Sequence, residues 1–86
     1  MVPLHTQTPI WESVPLSMAL GSPVLLKMEA LQPVGSFKIR GATNAIARLS
    51  ADEKRRGVIC CSTGNHGRAV AHASREAGIG ATICLS

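Results

Sequence analysis

The feature that most constrains the fold is a strand–helix–strand pattern in the last third of the chain. Val58–Cys61 is a continuous apolar run of strand length, a helical stretch follows from about residue 65 to 77, and Ala81–Leu85 is a second strand-like run. Gly78 is well suited to end the helix. Because two strands joined by a helix normally pair in parallel, this segment predicts a βαβ unit and an α/β fold.

Size and composition limit what can surround this unit. With 86 residues, the chain holds one small domain at most. Aromatic residues make up only 2% of it and hydrophobic residues 45%, so the core must consist of Val, Ile, Leu, Ala and Met. Such small side chains suit helices that lie close against a parallel sheet. A sheet that stops at Ser86 would have an open edge, so the pattern also predicts an interrupted, truncated fold.

The first third of the chain has weaker periodicity. Because proline favours extended backbone in the residue before it, Thr8–Ile10 and Val14–Leu16 are predicted to be extended. One turn of helix is predicted over Ser17–Leu20, followed by a short strand over Val24–Glu29 and a loop over Ala30–Gly35.

The middle of the chain has clear helical spacing. A helix from about Lys38 to Leu49 is predicted, with Ser36 as its N-cap. The residues predicted to share its apolar face are Ala42, Ala45, Ile46 and Leu49. Ser50 and Glu53 have the spacing of a capping box, which predicts a further short, charged helix that ends at Gly57.

The charge of the chain does not indicate a nucleic-acid partner. Nine Lys and Arg against five Asp and Glu give a net charge of +4. Nucleic-acid binding would favour a basic stripe with interleaved aromatic residues. The basic residues are instead scattered, apart from Lys54–Arg56, which directly follows two acidic residues. We therefore expect a modestly basic surface and no nucleic acid among the partners.

The cysteines indicate a reducing compartment. Cys60, Cys61 and Cys84 lie in apolar runs without metal-ligand spacing, which predicts buried, reduced thiols in a cytoplasmic protein and no metal site. No apolar run approaches ~18 residues, and no signal-peptide pattern opens the chain, so no membrane partner is predicted.

One lysine occupies an unusual place in the segment Gly35–Ala42. Lys38 lies at the start of the predicted helix, where the helix dipole favours anions over cations. One interpretation is that its amine captures a carbonyl group as a Schiff base, which is how lysine holds pyridoxal phosphate. The other interpretation is a solvated lysine on a helix surface.

A second candidate site lies between a buried strand and a helix. Ser62–Asn65 occupies the position where free backbone N–H groups and the helix dipole attract a carboxylate or a phosphate. The segment matches neither the Walker pattern nor GxGxxG, and an ordinary helix cap is the alternative. Together, an amine for an aldehyde cofactor and a cradle for a carboxylate predict the site of an enzyme that acts on amino acids.

These segments resemble a known family. Gly35–Ala42 followed by Cys61–Gly67 is similar to the N-terminal part of the serine/threonine dehydratases, which belong to the tryptophan-synthase-β-like (fold type II) group of pyridoxal-phosphate enzymes. Thr8–Pro9 and Leu26–Glu29 fit the same pattern, so the resemblance spans nearly the whole chain. It implies a partial three-layer α/β fold and a dehydratase that eliminates water from a hydroxy amino acid, such as threonine or serine, to give a 2-oxo acid and ammonia.

The resemblance also implies roles for particular residues. Lys38 would bind pyridoxal 5′-phosphate covalently and move protons at the substrate α-carbon. Phe37 would pack against the cofactor ring, and Asn65 would bond its 3′-oxygen. The residues implied to surround the substrate carboxylate are Ser62, Thr63, Gly64 and His66.

The family implies a division of the chain and several alternatives. Residues 1–56 would belong to the cofactor domain and residues 57–86 to the first βαβ unit of a smaller domain, and longer relatives are expected to be homo-oligomers.

One alternative function is a catalytically incomplete fragment, because the family's phosphate loop lies outside these residues. The others are a dehydratase of the hydroxyectoine-utilisation type and a racemase, although racemases usually carry serine where Thr63 stands.

Overall fold

A computed structural model describes residues 4–86, so the first three residues of the predicted segment 1–56 lie outside the described part. The helices in the described residues are α1 (Val14–Leu20), α2 (Lys38–Ala47), α3 (Ala51–Arg56) and α4 (Asn65–Glu76). The strands are β1 (Ile10–Glu12), β2 (Leu25–Lys27), β3 (Val58–Cys61) and β4 (Ala81–Cys84). Two 3₁₀ turns, Glu29–Leu31 and Pro33–Gly35, replace the predicted loop between β2 and α2.

The predicted βαβ unit is confirmed. β3 and β4 pair in parallel, with Val58 opposite Ala81 and Cys61 opposite Cys84, and α4 connects them. Gly78 has a left-handed φ of 70°, which ends α4 as the sequence predicts. The α/β fold class is therefore confirmed for this part of the chain.

The N-terminal part forms a separate two-stranded sheet. β1 pairs with β2 in antiparallel orientation, and α1 connects them. The prediction of extended backbone over Val14–Leu16 is wrong, because α1 begins at Val14. The Ser13 side chain caps this helix, and Pro15 is tolerated because the first helical N–H groups have no partner within the helix. Gly21, with φ of 67°, ends α1 after Leu20, where the predicted turn of helix also ends.

The core lies between α2 and α4. Its buried members are Ala42, Ile46, Ala69, Val70 and Ala73, and half-buried side chains that include Leu49 and Ile83 pack around them. Ala45 does not share this face as predicted; it is exposed. The buried residues of α2 follow helical spacing and form one face of the helix: Ile39, Ala42, Thr43 and Ile46. Ala45 lies beside this buried face.

Two predicted caps have different outcomes. The capping box before α3 is confirmed, since Ser50 Oγ accepts from Glu53 N at 3.1 Å and Glu53 Oε2 accepts from Ser50 N at 2.7 Å. Ser36 is not the N-cap of α2, because Phe37 occupies that position and makes no side-chain cap. The Ser36 hydroxyl instead lies 3.4 Å from the N–H of Lys38.

The prediction of buried cysteines is also wrong. Cys61 is exposed, while Cys60 and Cys84 are partly buried, and all three are free thiols. The physical reason is that α4 packs against one face of the β3–β4 pair only, so side chains such as Ile59 on the other face are 71% exposed.

Candidate active site

The Lys38 side chain presents a free amine beside an aromatic ring. Lys38 is the first residue of α2, and its Nζ lies 5.0 Å from the centre of the Phe37 ring. Within residues 4–86, this amine makes no hydrogen bond or ion pair. The Phe37 ring is itself 57% exposed, so both groups can meet a ligand. The Lys27 amine differs, because it donates to the Thr8 carbonyl at 2.6 Å.

A groove of about 450 Å³ brings three of the predicted site residues together. Phe37 and Lys38 line it from the start of α2, and His66 lines it from the first turn of α4. Most of its remaining lining is apolar and comes from α2, β3 and α4. The other predicted residues do not line this groove: Ser62, Thr63 and Gly64 lie in the β3–α4 turn, and Asn65 is the first residue of α4.

Ser62 caps α4 from the turn before it. Its hydroxyl accepts hydrogen bonds from Gly67 N at 2.9 Å and from Gly64 N at 3.3 Å. Its own backbone N–H donates to the Cys84 carbonyl at 3.1 Å, which extends the β3–β4 ladder. The backbone N–H groups of Ser62 and Gly64 are therefore already engaged, and the Ser62 hydroxyl holds the turn in shape.

Three backbone N–H groups of the same turn stay free. Those of Thr63, Asn65 and His66 donate no hydrogen bond within the described part of the chain, and all three residues are exposed. They lie at the positive end of α4, a helix of 12 residues. Free N–H groups at such a helix end suit a carboxylate or a phosphate.

A polar network that includes Arg40, a residue of the Lys38 groove, was not predicted from the sequence. The Glu29 carboxylate accepts two hydrogen bonds from Arg40, at 2.8 and 3.0 Å, and one from the Thr8 hydroxyl at 2.8 Å. The Gln32 amide lies 3.2 Å from the same carboxylate. These bonds, that from Arg40 above all, lower the pKa of Glu29 to about 2.

This network also borders a second cavity of about 690 Å³. Glu29 and Lys27 line that cavity, and Phe37 and Arg40 line both cavities. The polar network therefore reaches the Lys38 groove through Arg40.

The described residues contain neither a metal-binding cluster nor a membrane-spanning helix. No cluster of three His, Cys, Asp or Glu side chains in residues 4–86 could hold a metal ion. In the same range, no helix has the length and apolar character needed to cross a membrane.

Comparison with known proteins identifies the class of this fold and site. A family model described as pyridoxal-phosphate dependent enzyme matches residues 1–86. The chain belongs to that family, which confirms the resemblance and, at the level of the family, the predicted cofactor.

Individual relatives are threonine and serine enzymes by name. The chain is 51% identical to the L-threonine ammonia-lyase of Thermotoga maritima over 82 residues, which are 95% of this chain and 20% of that protein. It is 46% identical to the L-serine dehydratase/L-threonine deaminase of Mus musculus, over 95% of this chain and 25% of that protein. The chain thus spans a fifth to a quarter of the length of these relatives.

Solved structures agree with the fold. Maize serine racemase superposes with a TM-score of 0.88 at 38% identity, covering 98% of this chain and 26% of that chain. The threonine deaminase isoform 2 of Solanum lycopersicum superposes with a TM-score of 0.85 at 38% identity. The match covers 95% of this chain and 23% of that chain. The tryptophan-synthase-β-like fold class is therefore confirmed over the matched region.

The residues present fit an aldehyde cofactor. Among the described residues the Lys38 amine has no partner, and it borders a groove large enough to admit part of a small molecule. The exposed Phe37 ring offers an apolar face beside it, and the start of α4 offers free N–H donors. An amine, an aromatic face and anion donors are the three kinds of group that pyridoxal phosphate and an amino acid require.

Proposed function

We propose that this chain carries the amine-bearing part of the active site of a pyridoxal-phosphate-dependent ammonia-lyase that dehydrates a hydroxy amino acid, with threonine and serine as the substrate class. The observation that supports the proposal most is the free amine of Lys38 beside Phe37, in a groove that His66 also lines. The names of two relatives that are 51% and 46% identical over the 82 matched residues support the same class of reaction.

Lys38 has two tasks in this proposal. Its Nζ would hold the cofactor covalently, and the same amine would serve as the base that takes the proton from the substrate α-carbon. Pyridoxal phosphate would supply the electron sink that makes this proton removable. In the net reaction, the α-proton and the β-hydroxyl would leave the substrate as one water, and hydrolysis of the resulting enamine by one water would give a 2-oxo acid and ammonia. Phe37 packs against the cofactor ring.

The β3–α4 turn binds the substrate carboxylate in this proposal. The N–H groups of Thr63 and His66 are free to donate to it, as is that of Asn65. Ser62 acts through its hydroxyl, which keeps Gly64 and the start of α4 in place. The Asn65 side-chain amide is assigned to the 3′-oxygen of the cofactor. These assignments follow the family pattern, and the exposure of the turn supports them.

The division of the chain also enters as a proposal. Residues 1–56 are assigned to a cofactor domain and residues 57–86 to the first βαβ unit of a second domain. The α2–α4 core joins the two segments, so they pack as neighbours in this structure. Homo-oligomeric assembly, a cytoplasmic location, and a lack of nucleic-acid and membrane partners remain predictions. The free cysteines favour a reducing compartment, whereas some matched relatives are named as mitochondrial or chloroplastic.

The experiment that tests the function measures products. The chain is incubated with pyridoxal phosphate and L-threonine or L-serine, and the 2-oxo acid and ammonia are quantified. We expect both products in equal amounts, lost in Lys38→Ala and retained in Lys54→Ala, which removes a lysine of α3. Covalent cofactor on Lys38 without turnover would instead support the catalytically incomplete alternative, and D-serine without ammonia would support a racemase.

A further inference from the structure

Glu29 gathers donors from three separate parts of the chain. Its carboxylate is largely shielded, with 19% of the side chain exposed, and it accepts from Thr8, Gln32 and Arg40. The two bonds from Arg40 form a bidentate pair, which fixes the relative orientation of a guanidinium and a carboxylate. Glu29 is thereby tied to the segment before β1, to the 3₁₀ turns and to the first turn of α2.

The partners of Glu29 are themselves fixed. Thr8 and Gln32 are each only 4% exposed. The Gln32 amide exchanges two hydrogen bonds of 2.8 Å with the backbone N–H and carbonyl of Thr6. Arg40 is therefore bound to a rigid frame and not to a free surface carboxylate.

The first turn of α2 needs such support, because the sequence supplies little of it locally. Phe37, at the cap position, makes no side-chain cap, and the first turn contains no acidic residue. Two cations, Lys38 and Arg40, lie at the positive end of the helix, where they oppose the dipole. A helix start of this composition would fray without an outside partner.

The backbone just before this turn is also strained. Val34 has a φ of 64°, a left-handed conformation that is rare for a β-branched residue, and Gly35 follows with a φ of 77°. Such a conformation persists only where the surrounding structure enforces it. Gln32 lies on one side of this segment and Arg40 on the other, and Glu29 holds both.

We propose that Glu29 is a positioning residue for the site: through Arg40 it holds the strained turn and the start of α2, so that the Lys38 amine stays at the groove. The inference rests on the proposed function, since it concerns the amine that binds the cofactor. Glu29 touches neither cofactor nor substrate in this account and acts through the side chains that it binds, Arg40 above all.

The test compares labelling rates of the chain. Pyridoxal phosphate is added over a range of concentrations, and borohydride traps the adducts. Mass spectrometry then gives the ratio of the labelling rate at Lys38 to the labelling rate at Lys54. Glu29→Ala should lower this ratio about tenfold or more, because a misplaced reacting group loses rate steeply. Glu29→Gln, which keeps one acceptor oxygen for Arg40, should recover part of the loss. Asp52→Asn, which weakens two exposed ion pairs in α3, should leave the ratio unchanged.

The same experiment separates positioning from stability. Circular dichroism gives the melting temperature of each variant, and all labelling rates are measured below it. A loss of stability alone therefore leaves the ratio unchanged. A Glu29→Ala ratio equal to that of the unmodified chain overturns the inference. If that variant does not fold, an unchanged ratio in Glu29→Gln overturns it instead. If the unmodified chain shows no preference for Lys38, the proposed function fails first and this inference fails with it.

Discussion

Gly67 lies so close to Ile83 that a Cβ atom at position 67 would come within 2.9 Å of Ile83 Cγ2. The same Cβ would lie 3.1 Å from the Ser62 Cβ and carbonyl oxygen. The start of α4 thus packs directly on β4 and on the turn that presents the free N–H groups. The position of the proposed carboxylate site depends on this close approach.

Gly67→Ala should destabilise the chain. The new methyl group overpacks the α4–β4 contact, which costs about 1–3 kcal/mol in the free energy of unfolding. Gly41→Ala is the matched control, because position 41 lies within α2 and has open space around it. That substitution should raise stability by about 0.5–1 kcal/mol. Urea denaturation measures both, and an equal effect of the two variants would contradict the packing described here.

Ser50→Ala should lower stability by about 0.5–2 kcal/mol, because it removes the hydroxyl that caps α3. Asp52→Ala in the same helix is the control. It removes only exposed ion pairs with Arg55 and Arg56, and such pairs contribute about 0–1 kcal/mol. Thermal unfolding of both variants shows which substitution lowers stability more. A larger loss of stability in Asp52→Ala than in Ser50→Ala would show that the capping box contributes little.

Acid should weaken the fold through Glu29. Because hydrogen bonds from Arg40 lower its pKa to about 2 from an ordinary value of 4.5, the charged carboxylate stabilises the folded state above pH 4.5. That contribution is lost as the pH falls from 4.5 towards 2. The Ser50 backbone N–H lowers the pKa of Glu53 as well, so Glu53 adds to the same trend. Between pH 4.5 and 2, the melting temperature should fall less steeply with pH in Glu29→Gln than in the unmodified chain. The same slope in both would contradict the lowered pKa of Glu29.

Thr63→Ser should raise racemisation of serine relative to its dehydration. The family pattern places a serine hydroxyl at this position in racemases, and Thr63 keeps the hydroxyl but adds a methyl group. Chiral chromatography of serine after incubation with pyridoxal phosphate measures the D-enantiomer, with Thr63→Val as the control that lacks the hydroxyl. No gain in D-serine over the unmodified chain would leave the proposed role of Thr63 without support.

Local patterns predicted the elements that depend on local interactions. The βαβ unit follows from two apolar runs and the helical spacing between them, and the capping box follows from Ser50 and Glu53. Lys38 is a candidate from the sequence because a lysine at a helix start opposes the helix dipole, and its role stays a prediction. These features need only neighbours within a few residues.

The features that the sequence did not predict depend on distant partners. The Glu29–Arg40 pair and its link to Thr8 join residues that are 11 and 21 positions apart, and no periodicity signals such contacts. The start of α1 was missed because Pro15 suits a first helical turn as well as extended backbone. The exposed Cys61 was missed because an apolar run does not show whether one face of a strand or both faces are covered.

The central claim is that the Lys38 amine is the group that binds pyridoxal phosphate, and mass mapping of the reduced adduct tests it most directly. The chain is mixed with pyridoxal phosphate, reduced with borohydride and digested, and the modified peptides are identified. The account predicts a stoichiometric adduct on Lys38, with little on Lys27, whose amine is bonded to the Thr8 carbonyl, or on Lys54 in α3. Equal labelling of the three lysines, or labelling that spares Lys38, would contradict it.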